Sequence, residues 1–207
     1  RRLGHIRAKN RTLLQLVYTA WMPERPREGS LDLLGGHLDG IVWRVTLAPD
    51  GEPVLFDSIH PCGCYHMFFP TPRLKPLPAP KRVLEWSFTP TTLPEIPDTG
   101  RLRVVVQART HYLRNVSLSE SAEGGKYRFA EYDELRTLPL PQGGTRSIFG
   151  PDGLIGGTER GERFLFWPMG IASAGAMRQS GTQATAFVGR RHFDDADIFE
   201  KRFRLRY

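Results

Sequence analysis

Twelve consecutive residues, Ile59-His60-Pro61-Cys62-Gly63-Cys64-Tyr65-His66-Met67-Phe68-Phe69-Pro70, hold both cysteines of the 207-residue chain and two of its six histidines. Thiolate sulfur and neutral imidazole nitrogen are the donors of zinc and copper sites. His60, Cys62, Cys64 and His66 are therefore candidate ligands for a transition metal ion. Their spacing is i, i+2, i+4, i+6, which on an extended chain turns all four to one face. His60 and His66 would then stand about 20 Å apart, too far for one ion whose bonds measure about 2.0–2.3 Å. A turn must intervene. Gly63 can take positive φ and Pro61 fixes the approach to it. A bent Cys62-Gly63-Cys64 then offers two sulfurs to one ion, with His60 or His66 as a third ligand and a fourth from elsewhere in the chain or from solvent.

The spacing departs from the paired C-x2-4-C of zinc fingers, and a blue-copper centre needs its second histidine from a separate segment. Zinc or copper is thus the cofactor expectation, in a metal-dependent enzyme or a redox protein. Two other readings stand beside it. In one, the domain is a non-catalytic binding or assembly module whose cysteines are structural, since free cysteine is among the most buried residue types. In the other, Cys62 or Cys64 carries thiol redox or nucleophilic chemistry, favoured by neighbouring imidazolium.

Other chemistries lack their motifs. Ile171-Ala172-Ser173-Ala174-Gly175 misses the first glycine of a nucleophile elbow. Residues 143–161 contain seven glycines but no Gly-Lys-Ser/Thr to close a phosphate loop, so this segment reads as a long surface loop covering a site. Asp194, Asp195, Asp197 and Glu200 lack the alternation and central glycine of a calcium loop; helix capping explains them. The net charge is +7, and 24 of 29 basic residues are arginine. They are scattered, without a nucleic-acid-binding signature. Asn115-Val116-Ser117 is a glycosylation sequon that matters only in a eukaryotic secreted chain. No stretch reaches the 18 apolar residues of a membrane span. The sequence begins at Arg1 without a methionine or signal pattern, so the expected partner is another segment or chain of a larger protein.

The elements that must position the cluster are mostly strands. Residues 8–22 carry both a helical apolar face and a β-branched Val17-Tyr18-Thr19 run. Ile41–Leu47 and Val54–Ile59 form a hairpin across the turn Pro49-Asp50-Gly51-Glu52, which delivers His60 where the second strand leaves the sheet. Five prolines between 70 and 80 keep the chain extended. Val83–Phe88 and Leu102–Leu113 read as strands, the latter showing a polar face of Gln107, Arg109 and His111. That face makes His111 the remote candidate to complete the metal set or to act as an acid or base. Lys126–Tyr132, Phe164–Trp167 and Ala184–Gly189 also read as strands, with a short helix near Ala174–Ser180. A final helix is capped by Asp194, carries Asp195 and Asp197 in its first turn, and ends on Lys201 and Arg202. Its apolar face is Ile198, Phe199 and Phe203. The expectation is one mainly β domain over 1–207, an antiparallel sandwich or distorted barrel. One or two peripheral helices, long Pro/Gly-rich loops and an N-terminal arm or helix over 1–38 accompany it.

Overall fold

The structure, a computed structural model, describes residues 1–81, 86–121, 124–182, 186–187, 189–190 and 197–206. The chain is mainly β and its strand pairs are antiparallel. Strands β1 (Arg2–Ala8), β2 (Arg11–Arg25), β3 (Gly36–Leu47), β4 (Pro53–Ile59) and β5 (Met67–Pro70) form a five-stranded meander in chain order. β6 (Leu74–Pro76) pairs with β13 (Phe203–Leu205), β7 (Arg101–Val106) with β8 (Leu113–Ser119), β9 (Leu138–Pro139) with β10 (Thr145–Arg146), and β11 (Ala186–Phe187) with β12 (Gly189–Arg190). Two short α-helices, α1 (Arg163–Phe166) and α2 (Ile198–Arg202), complete the described regular structure with two 3-10 turns. Among the described residues no helix is long and apolar enough to cross a membrane.

The expected hairpin is present, with Val45 opposite Phe56 and Val42 opposite Ile59. The ambiguous segment 8–22 becomes β2, because it zips β1 on one side and β3 on the other. That double pairing satisfies its backbone more completely than an isolated helix could.

The meander is covered on both faces. By period-2 alternation, Leu55 and Phe68 point to one side, where they meet Leu13, Leu74, Phe199 and Phe203. Phe56 and Phe69 point to the other, where they meet Val45, Leu93 and Val116 with Trp43, Leu102 and Leu113 around them. The first layer is supplied by α2 and β13, the second by the β7–β8 hairpin and the segment containing Leu93. A third apolar group lies at the end of the sheet. It holds Cys62, Tyr132, Phe149, Ile155 and Met177, with Trp21, Leu38 and Cys64 at its margin.

Several expected elements take other forms. The strand expected at Leu102–Leu113 stops at Val106, and residues 107–112 form a turn closed by Gln107 N–H on Tyr112 O (2.9 Å) and His111 N–H on Gln107 O (2.9 Å). His111 sits at φ +55°, outside strand conformation. Lys126–Tyr132 forms no strand; Tyr132 opens a 3-10 turn through Arg136 instead. Phe164–Trp167 is a helical turn with Phe164, Leu165 and Trp167 exposed rather than a buried strand. Ala174–Ser180 is not helical, since Gly175 takes φ +81° against Glu162 and Arg160, where even a Cβ would collide. Residues 83–85 of the expected strand at 83–88, 184, 185 and 188 of that at 184–189, and the helix-capping Asp194 and Asp195 lie outside the described residues. The last helix is present as α2, with Asp197 at its N-cap and Ile198 and Phe199 buried.

Gly40 of β3 sets how closely the end of β4 can approach. A Cβ there would lie 2.8 Å from the Ala20 carbonyl oxygen and 3.0 Å from Cγ of Pro61. Gly40→Ala is therefore expected to destabilise the protein by about 1–3 kcal/mol in urea unfolding and to raise the alkylation rate of Cys62. Unchanged values of both would show that the contact is not restrictive.

Candidate functional site

The same turn is built at both ends of β4. At its start, Ala48 N–H donates to Glu52 O (2.8 Å) and Gly51 N–H to Ala48 O (2.9 Å). At its end, His60 N–H donates to Cys64 O (3.0 Å) and Gly63 N–H to His60 O (2.8 Å). Both turns read Pro-Xaa-Gly, with proline fixing φ at the second position and glycine taking the left-handed conformation, φ +90° at Gly51 and +112° at Gly63. The cysteines are thus the third and fifth residues of a five-residue hairpin turn, not members of a strand.

This geometry decides which candidates meet. The β4–β5 register sets Ser58 opposite Met67; continued outward, it sets His60 opposite Tyr65 and Ile59 opposite His66. The turn breaks the alternation at Gly63 and again at Tyr65, φ +58°. His60 and His66 consequently leave on opposite faces of the sheet. His60 lies with Tyr65, ring centroids 5.3 Å apart. His66 packs on Phe68 at 4.1 Å, with Nε2 at 2.9 Å from Asp57 Oδ2 and 2.8 Å from Arg44 Nη2.

The Arg44–Asp57–His66 group is a buried cross-strand cluster. Arg44 Nε donates to Asp57 Oδ2 at 2.6 Å. Burial opposes the charge on Asp57, but the Arg44 guanidinium and the His66 contact outweigh it and hold the carboxyl below its ordinary range. Burial, reinforced by Arg44, pushes the His66 imidazolium down, so the ring is neutral.

On the other face, Asp39 draws two imidazoles together. Its side chain is 4 % exposed, and His60 and His111 are buried beside it. His111 Nδ1 lies 2.8 Å from Oδ2, and His60 Nδ1 lies 3.6 Å from Oδ1. Burial opposes ionisation of Asp39, but the contacts with His60 and His111 prevail and lower its pKa. The carboxylate fixes the hydrogen of the His111 ring on Nδ1.

Asp39 is presented by Leu38 at φ +54°. The buried Arg160 grips that kink, with Nη1 donating to His37 O at 2.9 Å and Nη2 to Leu38 O. Asp39 and Arg160 escape sequence reasoning because neither belongs to a motif. The Asp-Gly step before a β-branched run was the only local signal, and it reads equally as a turn.

A tyrosine pair adjoins the histidines. The hydroxyls of Tyr65 and Tyr112 are hydrogen-bonded, and their rings lie 4.3 Å apart. Arg25 covers the Tyr112 ring at 4.8 Å and donates through Nη1 to its hydroxyl at 3.1 Å. Burial, then the bond to Tyr112, raises the pKa of Tyr65.

Both cysteines are free thiols, Cys62 buried and Cys64 partly exposed. The contact with Cys64 is the main cause that brings Cys62 down to about 7, against the opposing effect of burial and with further help from His60. Arg160 and Arg178 are also close enough to feel the charge of Cys62. Both guanidiniums are buried. Arg178 is held by Ser173 O at 2.7 Å and by Ala172 O. Phe149, Ile155 and Met177 close over Cys62, so the glycine-rich segment does cover the cysteine turn.

Of the five expected ligands, the cysteines meet each other, His60 and His111 meet at Asp39, and His66 goes to Asp57. Among the described residues no three His, Cys, Asp or Glu side chains converge as a ligand set for a metal ion.

The buried Asp57 and His66 make stability depend on acid. Below its ordinary 6.5 His66 takes up a proton in the unfolded chain but resists it in the native one. Asp57 does the same below its ordinary 3.8. Stability is therefore full above the first value and declines as pH falls. In urea titrations from about pH 7 to about pH 5, His66→Gln should show a shallower decline than the wild type. Equal slopes would assign the acid sensitivity to other groups.

No protein-family model, curated protein or solved structure matches this chain.

Proposed function

We propose that this is a thiol-dependent protein whose working groups are Cys62 and Cys64, acting as a dithiol in disulfide exchange. The observation that carries this reading is the contact of the two thiols across the Pro61-Cys62-Gly63 turn, with the acidity of Cys62 brought to about 7. Thiolate is the reactive form, and nearby cations raise its population at neutral pH. Arg160 and Arg178 supply that positive surrounding. Two guanidiniums favour an anionic sulfur over a divalent metal at the same point.

Cys64 is the partly exposed partner and takes the attacking role. Its proton passes to the Cys62 thiolate and its sulfur forms a bond to one sulfur of a substrate disulfide, R–S–S–R′. The S–S bond breaks and R′–S⁻ leaves with the electron pair, taking a proton from solvent. Cys62, deprotonated, then attacks the Cys64 sulfur of the mixed disulfide and expels R–S⁻. The net change is oxidation of the two thiols to a Cys62–Cys64 disulfide and reduction of the substrate to two thiols. A small-molecule or protein dithiol returns the pair to its reduced state.

A second reading is favoured by the same two adjoining sulfurs: a thiophilic ion such as zinc or copper(I), with His60 as the nearest imidazole and His111 behind it. A single preparation separates the two. Alkylation of the native protein by iodoacetamide should rise with an apparent pKa near 7. Hydroxyethyl disulfide should convert the chain to a species lighter by two hydrogens, and Cys62→Ser should trap the mixed disulfide on Cys64. Thiols that titrate like ordinary cysteine, or react only in denaturant, would refute the exchange reading. About one zinc or copper per chain by elemental analysis, lost in Cys62→Ser/Cys64→Ser, would instead support the metal.

A further inference from the structure

Beside the cysteine turn lies a group of hydrogen-bond donors with no matching acceptor among the described residues. Arg25 at the end of β2 carries five N–H donors. One is spent on the Tyr112 hydroxyl, and no ion pair is formed by its guanidinium among the described residues. The two phenols carry two O–H hydrogens, and their mutual bond consumes one. Whichever direction that bond takes, the other hydrogen is left for an acceptor outside the pair. The nearby carboxylates do not fill this role. Asp39 is already divided between His60 and His111. Glu162 feels the charge of Arg25 and Arg160 but makes an ion pair with neither. Burial raises its pKa, which further weakens it as a counterion.

Tyr65 also remains a donor. The pKa of Tyr65 is raised by burial and by Tyr112, so its proton stays in place at neutral pH. Tyr65 is 45 % exposed, which opens the group to solvent, and it is the residue next to Cys64. A half-desolvated guanidinium stacked on an aromatic ring and flanked by a phenol O–H matches a planar oxyanion of single charge. One cation and one neutral donor suit a carboxylate better than a doubly charged phosphate.

We propose that Arg25, Tyr65 and Tyr112 form a carboxylate-binding subsite beside Cys64. Resting on the disulfide-exchange reading, it selects disulfides that carry a carboxylate near the scissile bond. Arg25 holds the carboxylate, the phenol pair completes its hydrogen bonding, and the substrate sulfur is thereby directed to the turn.

Two probes differing in the carboxylate test this. The rates of oxidation of the reduced protein by dithiodiglycolate and by neutral hydroxyethyl disulfide are compared, with the same ratio for dithiothreitol as the chemical reference. The protein should favour dithiodiglycolate by about tenfold relative to that reference. The preference should collapse to the reference in Arg25→Gln and in Tyr65→Phe/Tyr112→Phe, which keeps both rings. A wild-type ratio equal to that of dithiothreitol, or one untouched in both variants, would overturn the subsite.

Binding is measured separately on Cys62→Ser/Cys64→Ser, which cannot exchange disulfides. Thiodiglycolate, the thioether shorter by one sulfur, should perturb the Arg25 and Tyr112 NMR signals. It should bind about tenfold more weakly when Arg25→Gln is added. Binding there with no exchange in the wild type would retain the subsite and remove only the thiol reading. No binding would remove the subsite whatever the thiols do.

Discussion

A carboxylate shut away from water must be answered by its neighbours, and at Asp39 the answer comes from two segments far apart in the chain. His60 belongs to the turn after β4, and His111 to the turn between β7 and β8. Leaving a buried charge unanswered costs far more than an ordinary hydrogen bond is worth. The shared carboxylate therefore fixes the β7–β8 tip on the cysteine turn and brings Tyr112 to Tyr65. Arg160 secures the other side by capping the carbonyls of His37 and Leu38. The site is assembled by polar contacts at the edge of the sheet, while the layers beneath are held by apolar packing.

The two buried histidine–aspartate groups have different characters. Asp57 pairs with Arg44 across β3 and β4, and His66 adds a neutral ring over Phe68. All three lie on the side of Phe68, the face covered by α2 and β13, where they tie β3 and β4 to the chain entering β5. Asp39, His60 and His111 lie on the face from which Tyr65 reaches solvent. Burial alone does not mark a functional group; access to solvent beside a reactive neighbour does.

The electrostatics of the turn follow from what surrounds it. Cys62 is packed among Tyr132, Phe149, Ile155 and Met177, surroundings that by themselves would keep a thiol protonated. Contact with Cys64 and the nearness of His60 reverse that tendency. Arg160 and Arg178 are paired mainly with backbone carbonyls, which satisfy their donors without neutralising their charge. Their positive field therefore remains available to sulfur.

Much of the local structure was legible from residue order. Pro49-Asp50-Gly51 announces the hairpin because proline and glycine restrict the backbone independently of context. Pro61-Cys62-Gly63 announces a second turn for the same reason, and Ile41–Leu47 and Val54–Ile59 read as strands from their β-branched content. Ile198 and Phe199 were legible as the buried face of a helix, whereas Phe203, read with them, belongs to β13. Other segments were not. The run 102–113 alternates like one strand, yet His111 is pulled into a left-handed turn whose position on Asp39 is set by tertiary contact. The even spacing of His60 and His66 suggested a common face, but Gly63 and Tyr65 at positive φ send them to opposite ones. Sequence by itself determined the mainly antiparallel β class and the concentration of chemistry at residues 60–66. Only the tertiary structure decided that Asp39, Arg25, Arg160 and Tyr112 join it, since an isolated charged or phenolic residue carries no local pattern until packing gives it a partner.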